Sequence, residues 1–494
     1  MPAQHFTKSR YLAGLQCLRR LWLHVHEPNE YEAPAAGSPT DIGIEIGRKA
    51  RLLFPGGVLV EEAAWQHADA VARTAGLMRD RSVPAIFEAA FTHGDIRLRV
   101  DVLERRRGGW GLLEVKGGTG VKDHHLDDIA VQAYVLEAAG VPTRRIDMLH
   151  VDNSYVRGGE EIDWPSFFTR VDVKAEVARR VVTVPQRLPS MRASLRRPTQ
   201  PHADPGRQCG SPYPCEFWDR CTAGKPADWV FHLPHLTAAQ AQNLDALGIN
   251  SIAAIPDGFP LTNRQATIRD VTATGKPYVA PDLARLLRRF GPPACYLDFE
   301  AMMPPIPLYE GTRPYQTLPF QWSLHRLAKD GTLTHRQFLA RADADPRREF
   351  ATTLIAALHG SDTPIIVYSA YEQTRLKELA ALYPDLATPI NAIIARLADL
   401  LPVVRGAVYF PQFKFSNSIK SVAPALCPGF GYDDLADIAD GASAATAFAQ
   451  IASGAIATPT DVTRLRKALL AYCKRDTLAM VEVHRALLAL TRPD

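Results

Sequence analysis

The 494-residue chain is short of cysteine, of long apolar runs and of net charge, and each shortage narrows what it can be. Seven cysteines in so long a chain cannot act as a disulfide scaffold, so any that cluster point to metal instead. No apolar run approaches the roughly eighteen residues of a membrane span. The first twenty residues, MPAQHFTKSRYLAGLQCLRR, lack an apolar signal core with a small-residue cleavage site. The expectation is a cytoplasmic protein with no membrane partner. No repeat of about 20 to 50 residues recurs, which argues against a repeat architecture. A formal charge of +4 permits a nucleic-acid partner held in a local basic groove, without arguing for one. What is present is an ordinary soluble composition, 46% hydrophobic and 22% charged, long enough for two or three domains.

The first half is organised around two acids and a lysine. Residues 95–103 (DIRLRVDVL) alternate apolar and polar, Gly108-Gly109 makes a turn, and residues 110–115 (WGLLEV) run back apolar. That is a β-hairpin. Side chains alternate along a strand, so Glu114 and Lys116 share a face, and Asp101, placed near the end of the first strand, can join them. Converging carboxylates repel unless a cation sits between them, and Mg²⁺ or Mn²⁺ supplies one with oxygen ligands. The lysine can then position a metal-held water for attack on phosphorus. A surface hairpin with a salt bridge is the alternative, and the rest of the chain must decide.

Residues 9–24 are predicted helical, with Cys17 inside the helix, and a second helix over 42–54 carries Glu45. After the hairpin, 126–139 (LDDIAVQAYVLEAA) is a helix and 144–151 a strand, an α/β unit whose acids lie at one sheet edge. Prolines and arginines crowd 185–205, which predicts a linker or wrapping arm. Beyond it comes CGSPYPCEFWDRC, with Cys209, Cys215 and Cys221 each separated by five residues. With Cys17 they make four thiolates, enough for zinc or an iron-sulfur cluster. Zinc ligands usually come as close CxxC pairs, whereas one distant cysteine plus a later trio fits a [4Fe-4S] cluster.

These residues, Cys17, Asp101, Glu114-Val115-Lys116, Gln132 with Tyr134, and the cysteine trio, resemble the RecB-like PD-(D/E)xK nucleases with an iron-sulfur staple. That group includes the AddB nuclease domain and the CRISPR-associated iron-sulfur exonucleases. The resemblance implies that Asp101 and Glu114 bind metal, that Lys116 aids catalysis, and that the Gln132 helix faces DNA. Two positions depart from the family. Its early-helix histidine is absent from DIGIEIGRKA, where Glu45 is the substitute ligand, and the tyrosine four residues after its glutamine is Leu136 here.

Residues 229–290 hold short helical runs joined at Leu247-Gly248-Ile249, which resemble half of a helix-hairpin-helix; a plain helical connector is the alternative. A second chemical set follows. Asp298 and Glu300 lie two apart on a predicted strand, Glu372 opens a helix after the strand at 363–369, and Tyr472 precedes Asp476 by one turn of a helix over 462–490. Four acids so placed can gather two metals, with the tyrosine orienting water. The order resembles the tyrosine variant of the DEDD exonucleases of the DnaQ-like, RNase H-like fold. Glu372 stands where that family has aspartate, with Asp399 a competing candidate. Ser418 and Lys420 either touch the substrate backbone or cap a helix.

The fold expected is α/β: a restriction-endonuclease-like PD-(D/E)xK domain with an Fe-S staple over 1–225, a helical connector over 226–290 and an RNase H-like DEDD domain over 291–494. Together the halves resemble a bacterial family of RecB-type nucleases fused to an RNase H-like exonuclease, largely classified as a domain of unknown function. The implied activity is metal-dependent hydrolysis of DNA from single- or double-stranded ends, in repair or defence, with a helicase or recombination partner. The alternatives are a nucleic-acid-binding scaffold with inactive sites and an RNA-processing exonuclease.

Overall fold

A computed structural model describes residues 5–29, 33–435 and 437–492. The chain is mixed α/β and divides into two compact units, Met1–Gly224 with Pro305–Pro314, and Lys225–Pro304 with Tyr315–Asp494. Residues 226–290 therefore count with the second unit. No described helix is long and apolar enough to cross a membrane.

The first unit is built on one six-stranded sheet: β1 (Val58–Leu59), β2 (Ala85–His93), β3 (Ile96–Arg106), β4 (Gly109–Lys116), β5 (Thr143–Val151) and β6 (Phe168–Asp172), in that spatial order. The β2-β3-β4 meander is antiparallel, and β4 pairs parallel with β5. A parallel pair needs a crossover, here α5 (Asp123–Ala138). The helix stops where Gly140 takes a left-handed φ of 72°. β4 is central and buried from Trp110 to Glu114, which explains its continuous apolar run. The hairpin acids therefore sit in the middle of the sheet rather than at the expected edge, and Asp101 lies mid-strand in a β3 that ends at Arg106, beyond the expected end at Leu103.

Helices α1 (Lys8–Gln16), α2 (Leu18–His26), α3 (Pro39–Ala50) and α4 (His67–Arg79) precede the meander. Cys17 is not inside a helix: its backbone is extended (φ −165°, ψ 128°) and breaks one predicted helix into α1 and α2. The leucine periodicity runs through the break, which hides it. The expected linker also fails in part, because Val184–Leu195 is a helix, α6. Val184, Leu188, Met191 and Leu195 are buried at helical spacing, and Pro185 is tolerated in the first turn, where its missing N–H has no intrahelical partner to lose.

The second unit holds a five-stranded sheet and a small ribbon. The ribbon pairs β7 (Tyr278–Val279) with β13 (Val408–Tyr409). The sheet contains β8 (Ala294–Met302), β9 (Leu318–Leu327), β10 (Leu333–Leu339), β11 (Ile365–Val367) and β12 (Leu397–Asp399), ordered β10-β9-β8-β11-β12. β9 alone runs antiparallel to the rest. Helix α7 (Tyr371–Leu382) follows β11, α8 (Ile419–Leu426) comes later, and α9 (Pro459–Ala489) lays one buried face, including Leu469, Tyr472, Cys473, Asp476 and Met480, on β8 and β9.

Candidate active sites

In the first unit the β-ladder opens around Asp101. Pairing of β3 with β4 ends at Val102 and Leu113, and the Asp101 carboxylate accepts the Val115 N–H at 2.7 Å instead. On the other side, Glu88 stands opposite Asp101 in register, with a left-handed φ of 56°. A non-glycine residue there costs on the order of 1 kcal/mol or more. Asp101 is thereby held between two strands that do not pair at its level.

Glu114 is buried and fully engaged. Its Oε1 accepts from Lys116 Nζ at 2.7 Å and Lys8 Nζ at 2.8 Å, and its Oε2 accepts from Gln132 Nε2 at 2.6 Å. Lys116 also reaches Asp128 Oδ2 at 2.5 Å, and Lys8 lies 3.5 Å from Asp128 Oδ1. Three carboxylates thus face two ammonium groups. Burial raises the Asp101 carboxyl to about 7, helped by the neighbouring Glu114 charge. Asp128 shifts up for the same two reasons. For Glu114 burial also works upward, but Lys116 and Lys8 outweigh it and hold the group well below the usual carboxylate range.

Lys8 and Asp128 escape a sequence reading, because neither belongs to the strand pair; one signal exists, the spacing that puts Asp128 one turn before Gln132 on α5. Gln132 itself is completely buried on Glu114, so this side chain supports a carboxylate and does not face outward to DNA. Tyr134 lies across the helix against His93. Glu45 sits on the exposed face of α3. The Lys8→Met variant should lose about 2–3 kcal/mol of stability, somewhat under the cost of breaking a fully buried pair, since Lys8 is 25% exposed. Urea denaturation of the metal-free protein measures it.

The second unit gathers four acids with far less compensation. Asp298 and Glu300 share one face of β8, Glu372 is buried in the first turn of α7, and Asp476 is buried on α9. Donor atoms of Asp298, Glu300 and Cys473 lie within 4.8 Å of one another, the only such trio among the described residues. The Cys473 thiol donates to Asp298 Oδ2 at 3.3 Å. Asp298 is driven well up by burial and then by the charges of Asp476, Glu300 and Glu372. Burial and Asp476 push Glu300 to about 8, and burial pushes Glu372 to about 7. Asp476 is likewise raised by burial.

Two tyrosines attend Asp476. Tyr472 hydrogen-bonds it from one turn earlier on the shared helical face, and Tyr432, which the sequence reading missed, donates to its Oδ1 at 2.7 Å. Lys420 lies over both rings, 4.8 Å from the centre of Tyr472 and 5.4 Å from that of Tyr432, while donating to the Ala439 carbonyl at 2.6 Å. It is the cation that lowers both Glu300 and Asp476 against the upward pull of burial. Ser418 takes the other reading and caps α8. Asp399 ends β12 and accepts the Leu401 N–H at 2.9 Å across the turn that follows.

Residues 295–418 match a domain of unknown function, DUF2779. No curated protein matches the chain. The DUF2779 segment contains Asp298, Glu300 and Glu372, whereas Tyr472 and Asp476 lie beyond it.

The four predicted thiols meet in the first unit. Cys17, Cys209, Cys215 and Cys221 line one pocket with Arg19 and Arg20, whose free space, open mouth included, is about 340 Å³. The loop folds on itself through Cys215 N–H to the Cys209 carbonyl at 2.7 Å, and the Gly206 N–H points at Cys209 Sγ at 3.5 Å. Tetrahedral zinc would hold its thiolates about 3.8 Å apart, yet no three of these sulfurs come within 4.8 Å of one another. Four thiols lining one pocket could hold a metal or a cluster, whose negative charge Arg19 and Arg20 would offset.

Proposed function

We propose that the protein is a metal-dependent phosphodiester hydrolase with two active sites, acting on nucleic acid ends. One observation carries the reading: Asp298, half-buried, and the buried Glu300, Glu372 and Asp476 of the second unit act on one another electrostatically, and Lys420 offsets only Glu300 and Asp476. Such a cluster is unfavourable without a divalent cation, because each ionised acid raises the cost of ionising the next. The strand order around it, with the second strand alone antiparallel, is that of RNase H-like folds and supports the DEDD reading of Asp298, Glu300, Glu372, Tyr472 and Asp476. In the first unit the antiparallel meander, the α5 crossover and the parallel fourth strand support the PD-(D/E)xK reading of Asp101, Glu114 and Lys116.

Asp298, Glu300, Glu372 and Asp476 would hold Mg²⁺ or Mn²⁺ in one unit, and Asp101 and Glu114 in the other, where a bound ion supplies an acidified water and offsets charge on the phosphate. The chain's own groups do the rest. Burial and Asp476 keep the Tyr472 and Tyr432 hydroxyls protonated, so both remain donors that fix the Asp476 carboxylate. Lys420, which acts on Glu300 and Asp476, would offset part of the charge of a phosphate bound there. Gln132 and Lys8 hold Glu114 in one orientation, which leaves Lys116 on the face where Asp101 converges.

Incubation of the protein with end-labelled single-stranded DNA, duplex DNA and RNA, with Mg²⁺, Mn²⁺ or chelator, tests the reading. Metal-dependent release of short products from DNA is expected. Release from RNA alone would assign an RNA-processing role, and no release from any substrate sinks the enzyme and leaves a binding scaffold. The cluster has its own test. Protein purified without oxygen should be brown with broad absorbance near roughly 400 nm, and Cys17→Ser should lose both colour and the folded first unit. A colourless protein with one equivalent of zinc overturns the assignment.

A further inference from the structure

The loop between Cys209 and Cys215 does more than present thiols. It carries Tyr213 between Pro212 and Pro214. Proline fixes its own φ and restricts the residue before it, so the tyrosine is held with little backbone freedom. The loop is closed by the Cys215 N–H on the Cys209 carbonyl, and Gln16 Nε2, at the end of α1, pins it from below by donating to the Gln208 carbonyl at 2.6 Å and the Tyr213 carbonyl at 2.9 Å. Despite these restraints the residue is 47% exposed. A large aromatic ring held still and left in water gains nothing for the fold.

Its position is next to the first acid site. The ring packs edge to face on His124, at the start of α5, with centroids 4.8 Å apart. Its hydroxyl lies within the electrostatic reach of Lys116, Asp128, Glu114 and Lys8, the charged set of that site. His124 Nε2 is shielded from solvent and has no hydrogen-bond partner, a polar atom that a ligand can satisfy. A constrained, half-exposed ring thus stands beside the charged set of the first acid site.

We propose that Tyr213 is a positioning residue of the first site, stacking an unpaired nucleobase next to the phosphodiester that Asp101, Glu114 and Lys116 address. The proposal rests on the nuclease reading of that site. Because the ring is borne by the cysteine loop, an intact loop is required for substrate grip as well as for folding. Stacking on an aromatic is worth about 1–3 kcal/mol per base, sequence-tolerant, and is lost in a closed duplex whose bases are already stacked.

The test uses the full chain carrying Asp298→Asn, so that hydrolysis by the second unit is silenced. A single-stranded oligonucleotide bearing 5-iododeoxyuridine near its end is bound in chelator, irradiated, and the crosslinked peptide identified by mass spectrometry; affinity is measured in parallel by anisotropy. The crosslink is expected on Tyr213, retained in Tyr213→Phe and lost in Tyr213→Ala, with affinity about tenfold weaker for alanine. With Mn²⁺ present, Tyr213→Ala should raise KM about tenfold and leave kcat within twofold. Cluster absorbance must be unchanged in both variants, which separates substrate grip from loop collapse. Crosslinks confined to other residues, equal affinity for wild type and Tyr213→Ala, or equal losses in the alanine and phenylalanine variants overturn the proposal while leaving the nuclease reading standing. Absence of any nucleic acid binding or cleavage overturns both.

Discussion

Replacing Lys116 and Asp298 in turn, and then together, is expected to divide the metal-dependent hydrolysis between the two units and then remove it. Lys116→Ala should lower the activity of the first unit by about 10²–10³-fold, the usual effect of deleting one group that stabilises developing charge. Asp298→Ala should do at least as much in the second unit, because Asp298 is the acid on which the charges of Asp476, Glu300 and Glu372 all act. If one single variant already abolishes release from every substrate, the other unit is not a nuclease. Lys116→Ala and Asp298→Asn should have opposite effects on stability. Lys116 bridges Glu114 and Asp128, so its loss leaves buried carboxylates short of a partner and destabilises the metal-free protein. Asp298→Asn removes one of four mutually repelling acids and should raise the metal-free Tm, by about 2–4 °C for each kcal/mol of repulsion relieved. A calorimetric scan of both variants in chelator checks the contrast.

Metal-free protein should also lose stability as pH rises from about 5 to about 8.5, and saturating Mg²⁺ or Mn²⁺ should abolish that loss. Glu300 and Glu372 are raised to about 8 and about 7 in the folded chain, and Asp298 and Asp476 move in the same direction. Unfolded carboxyls titrate near 4. Between those values the folded protein binds more protons than the unfolded one, so stability falls with increasing pH and levels off above the folded values. Asp101, raised to about 7, and Asp128 contribute with the same sign. Glu114 contributes with the opposite sign: its folded value is depressed, so its part is present above about pH 4 and is lost only in acid. A bound divalent cation replaces protons, hence its affinity should climb over the same pH range. Thermal melts at several pH values, with chelator and with Mn²⁺, give both slopes; a flat profile in chelator would mean that the acids do not converge.

Local sequence was informative wherever one element carried the chemistry. Strand alternation was enough to put Glu114 beside Lys116 and Asp298 beside Glu300, and a helical turn was enough to align Tyr472 with Asp476, since these spacings are properties of the backbone alone. Cys17 was assigned to the distant trio because it is the one other cysteine in the expected first domain, yet its break between α1 and α2 was invisible behind a leucine period that continues across it. Pro185 and Pro189 spoke for a linker, and burial of Val184, Leu188, Met191 and Leu195 overrode them, because packing energy exceeds a lost hydrogen bond.

By itself, then, the sequence determined the acids, the thiols and their grouping into two chemical sets, because residue type and spacing along one strand or helix do not depend on what packs against them. Only the tertiary structure decided which cations answer those acids. Lys8 reaches Glu114 across 106 positions, and Tyr432 reaches Asp476 across 44. It moved Gln132 from a face turned to substrate onto a buried carboxylate, left Glu45 in solvent and carried Tyr213 from the cysteine loop to the side of an acid site. Contacts of that length follow from sheet order and helix packing, which no local periodicity encodes.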